Sequence, residues 1–249
     1  MSGKFAIIDG LDGIGKGVII GALVDYERNR GKKIFDLEEY WREHKEHPEP
    51  HELKGYDVVV SAEPTRAGTG NDIRKEMVAD NQRDYSARLV ANAFSINRMV
   101  LYKRIILPAL AYGMTVIQSR SVVSSMTYQV VQAEEEGNKD VTLDFILGME
   151  GNQFCLNHPP HLLIIPTIKN VQEVIERLAK REKKDHAIYE NLRFQLKLKE
   201  RYEDKQLREF FESKGTMVRY LDAAISIEST KEQVIKIWEE FLASQNVRI

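Results

Sequence analysis

The stretch FAIIDGLDGIGKG, residues 5–17, decides the fold of this chain. A short apolar run leads into a glycine-rich turn, and an apolar helical pattern follows from residue 18. In loops of this kind the glycines let backbone N–H groups surround phosphate oxygens, and the lysine reaches the outer phosphates. An ordinary glycine-rich turn between a strand and a helix is the alternative. The sequence predicts a nucleotide-binding loop in which the nucleotide contacts Gly10, Gly13, Ile14, Gly15, Lys16 and Gly17.

One position of this loop departs from the usual pattern, in which Ser or Thr follows the lysine. Gly17 occupies the place of the hydroxyl residue that ordinarily holds Mg²⁺. Mg²⁺ often keeps several waters and takes most of its anchoring from the nucleotide phosphates. We therefore expect nucleotide binding with weakened metal anchoring.

The composition is typical of one soluble α/β domain spanning residues 1–249. Apolar residues make up 43% of the chain, which is enough to bury one sizeable core. The 36 Lys and Arg nearly balance the 38 Asp and Glu, so no basic field favours nucleic acid or a membrane surface as partner. The single Cys155 excludes an internal disulfide framework. Because no export signal or membrane-spanning run stands out, we expect a cytoplasmic protein.

Five short apolar runs indicate buried strands, and they cover residues 5–9, 57–62, 114–118, 161–166 and 217–221. Runs that are apolar throughout and are separated by helical patterns favour a parallel sheet covered on both faces. We predict a three-layer α/β/α fold of the P-loop NTPase type with a five-stranded parallel sheet. Its ligands should lie beyond the carboxyl ends of the strands. Residues 31–56, between the first two runs, read as an insertion.

Candidate ligand groups follow the second and third runs. Glu63 precedes a proline turn and Arg74, which indicates either a small-ligand corner or an exposed turn with a solvated arginine. Phe94 and Arg98 share one helix face, either as ligand groups or as a core ring beside an ion-paired arginine. Arg120, at the carboxyl end of a strand, is well placed for a phosphate.

A run of cations closes a later helical pattern, at Arg177, Lys180, Arg181, Lys183 and Lys184. Most such runs are solvated helix ends that the helix dipole favours. A catalytic role for them needs support from the rest of the sequence.

The order of these pieces resembles the thymidylate kinase family over residues 4–240. The family's loop GxDGxGK, its EP motif and its FxxxR pair match residues 10–16, 63–64 and 94–98. Arg120 matches the arginine of the family's DRY motif, although Ser119 and Ser121 replace the flanking aspartate and tyrosine. Other matches are Arg74 as a phosphate-binding arginine, Ser125 and Gln129 in an SSxxYQ segment, Asp222 near adenine, and Arg181 in a helical lid at about 179–190.

The resemblance implies ATP-dependent phosphorylation of dTMP to dTDP by a homodimer that forms through helices. It implies four catalytic residues: Lys16 at the donor phosphates, Asp12 near the acceptor sugar, and Arg120 and Arg181 as cations. Mg²⁺ would be the cofactor, with Glu63 or Ser119 holding it through water. The implied acceptor-binding residues are Asp12, Glu63, Arg74, Phe94, Arg98, Arg120, Ser125 and Gln129.

Two other readings of the same residues stay open. One keeps the fold and changes the acceptor to another nucleotide or to a deoxynucleoside. The second is a non-catalytic nucleotide-binding or sensor protein. Gly17 and Ser119 support it, because they replace a hydroxyl and a carboxylate that would otherwise help to hold the metal.

Overall fold

A computed structural model describes residues 3–179, 189 and 191–246 of the chain. Its sheet contains six strands, β1 (Lys4–Ile8), β2 (Ile34–Asp36), β3 (Val58–Ala62), β4 (Thr115–Ser119), β5 (Leu162–Thr167) and β6 (Met217–Asp222). They lie in the order β2-β3-β4-β1-β5-β6, and every neighbouring pair is parallel. The predicted parallel α/β fold is confirmed, whereas the prediction of five strands is wrong.

The missed strand β2 lies inside the segment 31–56. It has three residues, and its apolar pair Ile34-Phe35 stands between two lysines and an aspartate, so it leaves no periodic signal. Its pairing with β3 places Ile34 opposite Val58 and Asp36 opposite Val60. This part of the segment therefore extends the sheet.

Thirteen α-helical segments lie in the described part of the chain. They are α1 (Lys16–Asn29), α2 (Leu37–His44), α3 (Thr69–Asp72), α4 (Ala87–Leu101), α5 (Leu107–Ala111), α6 (Val122–Ser124), α7 (Val130–Glu135), α8 (Leu143–Gly148), α9 (Glu150–Leu156), α10 (Val171–Ala179), α11 (Leu192–Tyr202), α12 (Lys205–Ser213) and α13 (Ile227–Asn246). π-Helical turns follow α3, α4 and α6, at Ile73–Met77, Tyr102–Ile106 and Ser125–Gln129. None of the described helices is long and apolar enough to cross a membrane.

Local sequence explains where the helices nearest the site begin. Gly15 adopts a left-handed conformation immediately before α1. The Asp36 carboxylate accepts a hydrogen bond from the backbone N–H of Glu38 at 2.8 Å, which caps the start of α2. Ser86 caps α4 in the same way through the N–H of Leu89. These caps fix the positions from which Lys16, Glu38 and Phe94 project.

The central strand β1 shows that both faces of the sheet are covered. Its consecutive residues Phe5, Ala6, Ile7 and Ile8 are at most 1% exposed, although successive side chains point to opposite faces. Ser119, the last residue of β4, is in register with Ile8 of β1 and with Ala62 of β3. The residues that follow these three strands therefore meet at one edge of the sheet.

Candidate active site

The glycine-rich loop between β1 and α1 closes around its own lysine. Gly13 and Gly15 have φ angles of 75° and 104°, a region that side chains other than glycine rarely adopt. The Lys16 Nζ donates hydrogen bonds to the carbonyl oxygens of Gly10 at 3.0 Å and Leu11 at 2.5 Å. Turns of this shape direct successive backbone N–H groups toward one point, where an anion binds.

A cavity of about 1550 Å³ extends from this loop to the acceptor candidates. The predicted site residues that line it are Asp12, Gly13, Ile14, Gly15, Lys16, Gly17, Glu63, Arg74, Phe94, Ser119, Arg120 and Gln129. The fold thus brings groups from the ends of β1, β3 and β4 and from α4 into one space. The phosphate-binding loop and the candidate acceptor-binding residues can therefore contact ligands that are bound in one cavity.

Arg120 lies at the centre of this space in a left-handed backbone conformation, with a φ angle of 66°. Its guanidinium forms an ion pair with Asp12 and donates to the Ser124 Oγ at 3.0 Å. The Tyr128 hydroxyl donates to the second oxygen of Asp12 at 2.9 Å, and the Tyr128 ring lies 4.9 Å below the guanidinium carbon. Burial raises the pKa of Tyr128 well above its usual value, which keeps this hydroxyl a donor.

Asp9 anchors the same region from the end of β1 and is fully buried. It accepts hydrogen bonds from the hydroxyls of Ser121, Ser124 and Tyr202 at 2.8, 2.7 and 2.8 Å. The backbone N–H of Gly10 donates to it at 2.9 Å. Because Ser124 also contacts Arg120, this carboxylate ties the start of the loop to the arginine.

Glu63 and Arg98 form a buried ion pair with an N···O distance of 2.8 Å. Burial raises the pKa of the Glu63 carboxyl, and the charge of Arg98 opposes that rise. Arg98 also donates to Asn152 and to the Ser125 Oγ, the latter at 3.1 Å. Its guanidinium is 0% exposed, and neither Arg98 nor Ser125 is among the lining residues of the cavity. Their contact with a base therefore stays a prediction.

Arg74 reaches the cavity from the π-helical turn after α3. Its Nε donates to the carbonyl oxygens of Pro64 at 2.9 Å and Thr65 at 3.2 Å. Glu38, from α2, lies 3.8 Å from the same guanidinium and forms an ion pair with Arg66 at 2.5 Å. Segment 31–56 therefore contributes a carboxylate to this end of the cavity.

Two predicted residues offer groups that suit a flat, polar ligand. Phe94 is 8% exposed and packs on Ile73 and Val90 with one part of its ring toward the cavity. Gln129 is 2% exposed, and within the described residues its Oε1 has no hydrogen-bond partner. A buried amide oxygen without a partner is costly, so a ligand donor there would be stabilising.

Three other predicted residues cannot be placed on the cavity wall. Gly10 is not among the lining residues, and its N–H donates to Asp9 while its carbonyl oxygen accepts from Lys16. The Asp222 carboxylate accepts from the N–H of Ala224 at 2.9 Å and holds its own turn, while the neighbouring Ala223 lines the cavity. Arg181, with most of the predicted lid at 179–190, lies outside the described residues.

The residues near the loop do not form a preassembled metal site. No group of three or more His, Cys, Asp or Glu that could hold an ion occurs in the described ranges. Both oxygens of Glu63 already accept protein hydrogen bonds, from Arg98 and from Gln118. Ser119, the last residue of β4, lines the cavity. These donors fit only a metal that arrives with a nucleotide and is held through water.

Several side chains of the cavity are not predicted as site residues from the sequence. Glu38 and Asp36 come from a segment read as an insertion, and only the pairing of β2 places them here. Tyr128 and Ser124 lie in the quoted SSxxYQ segment, where the π-helical turn was not predicted. Tyr189 packs edge-on against Tyr128 at 5.4 Å from a distant part of the chain. A signal existed only for Tyr128 and Ser124.

Comparison with known proteins gives a consistent family. The sequence model of thymidylate kinase matches residues 50–234. A thymidylate kinase of an Exiguobacterium species is 27% identical over 52% of this chain and 50% of its own length, so this match spans about half of that relative. The thymidylate kinase of Caldicellulosiruptor saccharolyticus is 26% identical over 97% of this chain and 98% of its own.

A solved structure is similar in fold. Thymidylate kinase from Candida albicans has a TM-score of 0.65 at 19% sequence identity, covering 98% of this chain and 93% of that one. The match to the family model confirms the family that the loop, the EP motif and the FxxxR pair suggest. Since the family model covers more than half of the sequence, the chain belongs to the thymidylate kinase family.

Proposed function

We propose that this chain transfers the γ-phosphoryl group of ATP to dTMP, giving dTDP and ADP. The family assignment supports an ATP-dependent phosphotransferase that acts on dTMP. The observation that carries the proposal is that one cavity is lined by the loop around Lys16 and by Arg74, Phe94 and Arg120. Phosphoryl transfer requires donor and acceptor phosphates held in line, and a shared cavity allows it.

The donor occupies the loop end of the cavity. Backbone N–H groups of the loop and the Lys16 ammonium receive the ATP phosphates. The adenine lies toward Ala223, Ile227 and Thr230, which line the same end. Asp222 supports that wall by holding the turn that contains Ala223.

The acceptor occupies the opposite end. Thymine stacks on Phe94, and its imide N–H donates to the buried Oε1 of Gln129, which accepts no hydrogen bond from the described residues. Arg120 and Arg74 receive the acceptor phosphate, and Asp12 lies near the sugar. Arg98 and Ser125 support this wall from behind, through Glu63 and Asn152.

The chemistry follows from this placement. An oxygen of the acceptor phosphate attacks the γ-phosphorus, the bond to the β–γ bridging oxygen breaks, and ADP leaves with that electron pair. Lys16 and Arg120 stabilise the charge on the transferred group. Arg181 is proposed as a further cation because of its place in the family's lid motif.

Mg²⁺ is proposed as the cofactor and, when bound with ATP, neutralises part of the phosphate charge. Ser119 would hold one of its waters, since this residue lines the same cavity as the loop. Glu63 would support this arrangement electrostatically, because its oxygens are engaged by Arg98 and Gln118.

A coupled ADP-release assay across nucleoside monophosphates and deoxynucleosides tests the proposal. We expect turnover with Mg²⁺ and ATP that is fastest with dTMP. A preference for a purine nucleotide or for an unphosphorylated deoxynucleoside would overturn the acceptor assignment. ATP binding without turnover of any acceptor would identify a nucleotide-binding protein that is not a kinase.

A homodimer in the cytoplasm is part of the proposal, and an exposed apolar face of α4 supports the dimer. Leu89, Ile96 and Val100 project along one side of α4 and are 47%, 56% and 41% exposed. A groove of about 620 Å³ between this face and α8–α9 lies beside them.

Sedimentation equilibrium should give twice the chain mass for the wild type, and Ile96→Glu should lower the measured mass to that of a single chain. A wild-type monomer at micromolar concentration would contradict the dimer.

A further inference from the structure

Glu38 places a negative charge at the end of the cavity to which the proposed function assigns the acceptor phosphate. It projects from the first turn of α2, and Arg66 holds its carboxylate at 2.5 Å. The side chain is 26% exposed and lines the cavity together with Arg66 and Arg74. An anion entering this end meets two arginines whose charge one carboxylate already partly balances.

Backbone carbonyl groups hold Arg74 in addition to its ion pair with Glu38. The carbonyl oxygens of Pro64 and Thr65 accept from the Arg74 Nε at 2.9 and 3.2 Å. Glu38 lies 3.8 Å from the Arg74 Nη2, a separation at which attraction is mainly coulombic. Removal of the Glu38 charge should therefore leave the guanidinium in place and more available to an anion.

We propose that Glu38 sets the phosphate affinity of the acceptor end, because its carboxylate competes with the acceptor's 5′-phosphate for Arg74. The inference rests on the proposed function, in which Arg74 receives that phosphate. It gives helix α2, which lies outside the part matched by the family model, a role in substrate recognition. The ligand class concerned is a deoxynucleoside 5′-monophosphate.

The test is the neutral, isosteric variant Glu38→Gln, with dTMP and thymidine as probes in equilibrium titrations. The dissociation constant for dTMP should fall about three- to tenfold, since one like charge is removed from a partly screened site. Thymidine lacks the phosphate, so its dissociation constant should not change. Raising NaCl from low to about 0.5 M should shrink the gain for dTMP, because salt screens the interaction.

Glu39→Gln is the matched control, since Glu39 is an exposed carboxylate of the same helix turn. It should leave the affinity for dTMP unchanged, and an equal gain in this variant would overturn the inference by showing a diffuse charge effect. Unchanged or weaker dTMP binding in Glu38→Gln, with an unchanged melting temperature, would also overturn it. Failure of the wild-type chain to bind dTMP is a different result, which overturns the proposed function and this inference with it.

Discussion

The two ends of the cavity are lined by different kinds of chemical group. The donor end is a loop of glycines and backbone groups around Lys16, which a continuous stretch of sequence supplies. The acceptor end consists of side chains from distant segments, and its arginines already have acidic partners, as in the pairs Arg120–Asp12 and Arg74–Glu38. Donor binding therefore fills a prepared nest, whereas acceptor binding exchanges one anion for another around fixed cations.

The largest effect should come from the donor end, through Lys16→Met. Removal of the ammonium that receives the outer phosphates should lower kcat by about 10²–10³-fold. Steady-state kinetics at saturating dTMP measures this loss, and Lys236→Met, an exposed lysine of α13, is the matched control. A loss below about threefold would contradict the donor assignment.

At the acceptor end, Arg98→Met tests whether the buried arginine serves the fold. It leaves Glu63 buried without its counter-charge, which should lower the free energy of unfolding by about 3–5 kcal/mol. Denaturant unfolding gives the value, and adding Glu63→Gln should restore part of it. Unchanged stability together with weaker dTMP binding would instead support direct contact between Arg98 and the base.

Arg120→Lys keeps the charge of the acceptor end and removes its fork of donors. One ammonium cannot replace the guanidinium contacts to Asp12, Ser124 and a phosphate together, so kcat/KM for dTMP should fall about 10²-fold. The KM for ATP should change much less, which separates the two ends. Equal losses toward both substrates would mean that the cavity does not divide in this way.

These expectations show which parts of the molecule its sequence encodes locally. The loop and β1 can be predicted because the glycine spacing and an apolar run lie within one short stretch of sequence. Strand β2 cannot be predicted in this way, because three residues are too few to show a hydrophobic period. It forms by pairing with β3. Helix spacing places Arg98 on one face with Phe94 and allows an ion-paired arginine there. Its partner Asn152 lies 54 positions away along the chain, so the complete burial of Arg98 cannot be predicted from the helix alone.

Segment 31–56, which carries Glu38, should also make the folded state less stable at acidic pH. Burial, with a smaller contribution from Arg104, lowers the pKa of His47 to about 4. Between pH 6.5 and 4 the unfolded chain binds more protons, so stability is complete above this window and falls as pH decreases through it. Between pH 7 and pH 4.5, the free energy of unfolding should decrease by about 1–2 kcal/mol less in His47→Gln than in the wild type. This figure is reduced because His47 is partly exposed. Unfolding titrations at pH 7 and pH 4.5 measure it, with the exposed His51→Gln as control; an equal loss in His47→Gln and wild type would contradict the assignment.

The smallest change concerns the metal at the donor end. An added Cβ at Gly17 meets nothing within 4 Å, so Gly17→Ser should fit without strain. Restoring the hydroxyl should lower the Mg²⁺ concentration for half-maximal rate about threefold while leaving the rate at saturating Mg²⁺ unchanged. An unchanged Mg²⁺ requirement would show that other groups hold the metal.

The most direct test of the shared cavity is a crystal structure of the chain with ADP and dTMP bound together. We predict ADP phosphates in the loop at Lys16, thymine on Phe94, and the dTMP phosphate on Arg74 and Arg120, with Glu38 no longer adjacent to Arg74. Binding of dTMP outside this cavity, or ADP and dTMP competing for the loop, would contradict the division into donor and acceptor ends.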